Sequence, residues 1–124
     1  MDNNFDSREL LLRAVLPISL YWKDGRLSSA AFKDKNGLSV SRTYERNLNI
    51  AVESMRSFFT GDIISVSVEN CNSVNACVKY LPSQTNKYHC EIHRSDTVRL
   101  LSDSQAKHLA SVAIKQFSCS ISTT

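Results

Sequence analysis

One helical stripe set between short alternating stretches constrains this chain more than any other feature of its sequence. Tyr44, Leu48, Ala51, Val52, Met55, Phe58 and Phe59 recur every three or four residues, the spacing of one helix face. Thr43 suits the cap of this helix, Glu45 its first turn and Gly61 its stop. On either side, Leu38-Ser39-Val40-Ser41 and Ile64-Ser65-Val66-Ser67-Val68 alternate apolar with polar residues, as half-buried strands do. A second helix begins after Ser102, where Gln105 completes a capping box. Its stripe is Ala106, Leu109, Ala110, Ala113 and Phe117. Helices inserted among antiparallel strands imply an α+β fold.

The remaining elements follow from turn chemistry. Asp6, Glu9 and the Phe5–Leu10 pair mark a helix start, so the apolar run Leu10–Leu16 reads as a short helix. A strand then continues past Pro17 to Trp22. The same run fits a strand throughout, because periodicity does not settle short apolar stretches. Lys23-Asp24-Gly25-Arg26 is a turn, and Arg26–Lys33 reads as a strand. The Asp34–Gly37 turn would join that strand to Leu38–Ser41 as a hairpin. Asn70–Ser73 is a turn. Ala76, Val78 and Tyr80 carry a strand, Pro82–Asn86 a loop, and Tyr88–Arg94 another strand. The fold expected is two-layered: a mainly antiparallel sheet of about five to six strands, two or three helices on one face, and the other face free. Residues 1–117 form one domain, and residues 118–124 are a flexible tail.

Apolar residues make up 42% of the 124 and charged residues 22%, which excludes the disordered and collagen-like classes. No apolar run reaches the roughly 18–20 residues of a membrane span. The N-terminus, with Asp2 and Asp6, lacks a basic and then apolar leader. A cytoplasmic location is expected. Cys71, Cys77, Cys90 and Cys119 form no CxxC pair and no zinc spacing, so reduced thiols are expected. Cys77 and Cys90 read as small buried hydrophobes and Cys119 as exposed. No metal and no cofactor is expected.

The formal charge is only +3, but the basic residues are concentrated. Lys23, Arg26, Lys33, Lys35, Arg42 and Arg46 outnumber Asp24, Asp34 and Glu45 by three, the net charge of the whole chain. This window can meet a phosphate or acidic partner, or simply decorate a strand edge. The small residues of Arg26-Leu27-Ser28-Ser29-Ala30-Ala31-Phe32-Lys33 point to a close approach by a helix, a partner chain or a ligand. Ser28 and Ser29 have no GxSxG elbow around them. His108 falls with Lys107, Ser111 and Lys115 on the outer face of the last helix.

The densest chemical group is Tyr88-His89-Cys90-Glu91-Ile92-His93-Arg94. On a strand, His89, Glu91 and His93 share one face, while Tyr88, Cys90 and Ile92 turn toward the helices. Neighbours in the row stand about 6.5–7 Å apart, and the two histidines about 13 Å. Such a row supports acid–base work, partner contact or metal binding, or is simply the wet side of a strand. Two functions follow. The first is a small binding module acting on a protein partner or a second copy of itself, with nucleic acid as the ligand of the basic window. The second is an RNase-like phosphodiesterase that uses His89 and His93, helped by Glu91 and a basic residue such as Arg42.

Overall fold

The computed structural model describes residues 1–119. Strands β1 (Leu10–Val15), β4 (Leu38–Arg42), β5 (Asp62–Ser67), β6 (Cys77–Tyr80), β7 (His89–His93) and β8 (Ile114–Phe117) form one sheet. Its order is β6-β7-β4-β1-β5-β8, and every pairing is antiparallel. A separate hairpin joins β2 (Trp22–Lys23) to β3 (Arg26–Leu27). The helices are α1 (Leu48–Phe58), α2 (Val68–Asn72) and α3 (Asp103–Val112). The chain is an α+β protein built on a mainly antiparallel sheet. No helix among the described residues is long and apolar enough to cross a membrane. Of the expected tail 118–124, the part from 120 onward lies outside the described residues.

The Leu10–Val15 run is a strand, not a helix. Leu11 and Val15 enter one core and Leu12 enters another, so the strand is buried on both faces and reads as continuously apolar. Asp6 caps only a turn: its carboxylate accepts the Arg8 N–H and its carbonyl accepts the Glu9 N–H. Packing also puts the helices on both faces. Leu11, Phe32, Val40, Ile64, Ile92 and Leu109 pack on the side of α2 and α3. Leu12, Ile63 and the α1 residues Ala51, Val52 and Met55 form a smaller core on the other side, which is therefore not free.

Local backbone chemistry explains the shifted boundaries. Tyr44 and Glu45 have φ of 43° and 63°, so no helix can start at Thr43; Asn47 caps α1 instead. The expected strand over Arg26–Lys33 stops at Leu27 and gives way to a 3₁₀ turn, Ser29–Phe32. Ala31 and Phe32 there are buried, and the close approach predicted from the small residues is made by α3. The hairpin forms at Asp24-Gly25 (φ 53° and 75°), as Asp-Gly favours, and not at Asp34–Gly37. Ser67 and Asn70 build a reciprocal cap, making α2 where a plain turn was expected. The Ser102–Gln105 capping box is present as expected. Helix α3 ends at Val112, and Phe117 belongs to β8, packed against the smaller core.

Candidate functional site: a cationic cleft and a divided histidine row

Strand β7 is extended, as its alternation required. Cys90 and Ile92 are wholly buried among the helices. His89, Glu91 and His93 share the opposite face, where α1 covers β1 and β5. The row is not uniformly wet, which corrects the expectation of a solvent-facing face. His93 keeps only 8% of its surface, and its Nε2 lies 2.8 Å from Glu91 Oε1. A carboxylate only accepts, so Nε2 carries the proton of that bond. The pair occupies room left by Gly37, where a Cβ would stand 2.3 Å from Glu91 Oε1 and 3.0 Å from His93 Nε2.

His89 is held differently. Its Nδ1 donates to the Leu81 carbonyl at 2.8 Å, which leaves Nε2 to accept from the Ser39 hydroxyl at 3.3 Å. The two histidines thus have separate partners. His108 is half-buried and hydrogen-bonds Ser73 Oγ at 3.2 Å. Loss of His93 strands Glu91 in a half-buried position. His93→Ala should therefore lower stability by about 1–3 kcal/mol, while His89→Ala, at a more open site, should cost under about 1 kcal/mol. Urea denaturation of the two variants checks the difference.

The six cations of the basic window do not form one patch. Lys23, Arg26 and Lys35 are exposed. Lys33 is bound to Asp103 and to the Leu101 carbonyl. Arg46 lies over the Tyr88 ring, 3.4 Å from its centroid, and donates to the carbonyls of Arg42 and Thr43. Arg42 is buried completely. Its Nε and Nη2 each donate to Glu9 at 2.9 Å, and Nη1 donates to the Asp2 carbonyl at 2.7 Å. The rings of Phe5, Tyr44 and Tyr80 surround it at 4.1, 4.6 and 5.3 Å. Burial works against its charge, but the Glu9 carboxylate more than offsets this and raises its pKa. Arg42 is thus a structural charge: four of its five N–H donors are bonded within the protein and its side chain is sealed from solvent. Arg13, passed over in the sequence, is similarly tied to the carbonyls of Ala31 and Ser39.

What the fold does assemble is a cleft of about 570 Å³ between the β2–β3 hairpin, the end of α3 and β8. Trp22 and Leu27 come from the hairpin, Ala110 and Ala113 from α3 and its end. Arg26, Lys107 and Lys115 bring three exposed cations, and no carboxylate lines the cleft. The Lys115 ammonium stands 4.4 Å from the Trp22 ring centroid and 3.7 Å from the buried Asp62 carboxylate. A larger hollow of about 660 Å³ beside the Arg42–Glu9 pair mixes Asp2, Asp6 and Glu45 with Arg8 and Arg46, so it offers no one-sign field. Arg26 is the one residue of the sequence-predicted patch that lines the cationic cleft. Lys107 and Lys115 were legible only as an outer helix face, and Trp22 only as a strand residue.

No family model, curated protein or solved structure matches the chain. A functional assignment therefore rests on the geometry. Among the described residues, no three His, Cys, Asp or Glu side chains come together as a metal site. All four cysteines are free thiols. Burial pushes the thiols of Cys71 and Cys90 up to about 12, whereas Cys77, expected to be buried, is only half-buried. Iodoacetamide at pH 8 should therefore label Cys77 and Cys119 well before Cys71 and Cys90. Mass spectrometry of the native protein checks the order, which should vanish in guanidinium.

Proposed function

We propose that this protein is a binding module and that the Trp22 cleft is where it meets a negatively charged partner. The observation that carries this reading is the convergence of Arg26, Lys107 and Lys115 on one aromatic-lined cleft without an opposing carboxylate in its lining. A hollow lined by one sign of charge concentrates counter-charged ligands and speeds their encounter. Leu27, Ala110 and Ala113 supply the apolar surface that an anion-binding patch alone lacks. A second reading, acid–base cleavage of RNA by His89 and His93, has the Leu81–His89–Ser39 hydrogen-bond chain in its favour. The shielding of His93 counts against it. Metal-free protein that cleaves RNA between about pH 5 and 8, with the activity lost in His89→Ala, would establish that reading instead.

Trp22 is the only tryptophan, so its fluorescence reports on the cleft directly. Poly-L-glutamate or oligothymidylate should change that fluorescence at low salt. The change should fade toward about 1 M salt, where the screening length falls to about 3 Å. Arg26→Glu combined with Lys107→Glu should abolish it. If neither polyanion alters the signal, or the double variant responds like the parent, the cleft is not an anion-binding surface.

A further inference from the structure

We infer that the occupant of the cleft is an extended acidic peptide segment of a partner protein, added as a further strand along the outer edge of β8; this rests on the anionic-partner reading above. Strand β8 ends the sheet order, with β5 on its inner side. Among the described residues, no backbone group pairs with its outer side. Such an edge offers N–H and C=O groups at the repeat of an extended peptide, so main-chain hydrogen bonds supply affinity and alternate side chains supply selectivity.

The side chains flanking this edge say what the added strand must carry. Lys115 lies on β8 itself and lines the cleft, with Lys107 and Arg26 across from it. A lysine on an edge repels a basic strand and attracts an acidic one. Carboxylates at alternate positions of the incoming strand fall on the cleft side, toward these three cations. The intervening residues fall on the other face, where Ile114 is 60% exposed and gives an apolar neighbour. A peptide alternating acidic and β-branched residues therefore matches both faces at once.

The same geometry disfavours a nucleic acid strand. Base stacking needs a bare aromatic face, and the Trp22 face is taken by the Lys115 ammonium, which Asp62 also holds. A phosphodiester backbone, moreover, has no amide row to match the β8 edge.

An acetylated, amidated peptide of alternating Glu and Val provides the test. Trp22 fluorescence gives its affinity, and amide hydrogen exchange reads β8. Binding should slow exchange within Ile114–Phe117 by about tenfold or more, because the outer amides become bonded. Arg26→Glu with Lys107→Glu should weaken binding by about tenfold; both side chains are exposed and neither holds an ion pair among the described residues. An otherwise identical peptide with alternate N-methylated amides keeps every charge but cannot pair with the edge, so it should bind at least about tenfold more weakly. Equal binding of the methylated peptide overturns strand addition while leaving the anionic-partner reading intact. Preference for oligothymidylate over the Glu-Val peptide does the same. Failure of every polyanion to bind overturns both.

Discussion

Arg42→Ala should be among the most damaging single substitutions in this protein, with a loss of about 3–5 kcal/mol. The guanidinium is fully buried, and it ties three parts of the chain together. It lies at the end of β4 and holds Glu9 just before β1. It also holds the N-terminal segment by donating to the carbonyls of Asp2 and Asn4. Removing it leaves the Glu9 carboxylate, whose side chain is only 7% exposed, without its counter-charge. Glu9 would keep the Tyr44 N–H at 3.0 Å, too little for a shielded charge. The three surrounding aromatic rings would also lose their cation. Most of the penalty belongs to the stranded partner and not to the pair itself. Arg42→Met with Glu9→Leu should therefore recover at least about half of the loss. Chemical denaturation of the single and double variants measures this. A single variant within about 1 kcal/mol of the parent, or a double variant as weak as the sum of two singles, would contradict the account.

Arg42 also shows how the sequence can be read and misread. The alternation that turns Leu38 and Val40 inward turns Arg42 inward as well, so its burial is written in the pattern. Counting charges along residues 23–46 hides this, because a window sum does not distinguish the two faces of a strand. Where periodicity and capping are strong and local, the sequence is sufficient. The Ser102–Gln105 cap and the extended β7 appear as read, and Ala51, Val52 and Met55 of the expected α1 stripe are buried, whereas Tyr44 falls outside the helix and Phe58 and Phe59 are exposed. Where competing signals are short, tertiary packing decides. Leu10–Val15 becomes a strand because β4 and β5 flank it on both sides. The start of α1 moves to Asn47 because Tyr44 and Glu45 take positive φ beside the Arg42–Glu9 pair, which no propensity scale anticipates. The cleft could not be read at all. Trp22 and Arg26 are far in sequence from Lys107 and Lys115, and they meet through the packing of α3 on the Ser29–Phe32 turn and the antiparallel docking of β8 on β5.

Gly37→Ala should cost several kcal/mol by two separable routes. The residue has a φ of 101°, outside the region that L side chains adopt comfortably, and such strain costs on the order of 1–3 kcal/mol. The added methyl must also displace Glu91, whose Oε1 would lie 2.3 Å away, and so break the 2.8 Å bond to His93. Exposing or orphaning that shielded pair costs about a further 1–3 kcal/mol. In thermal unfolding the combined loss corresponds to a drop of about 10 °C or more for a domain of this size. The second route depends on Glu91 being present; the first does not. In a Glu91→Ala background, where the obstructing carboxylate is gone, Gly37→Ala should lose roughly half its effect and retain the backbone strain and the 3.0 Å approach to His93 Nε2. A double-mutant cycle gives the coupling directly. Coupling near zero would mean that Gly37 serves the turn alone. Coupling above about 1 kcal/mol would tie the turn before β4 to the buried end of the histidine row.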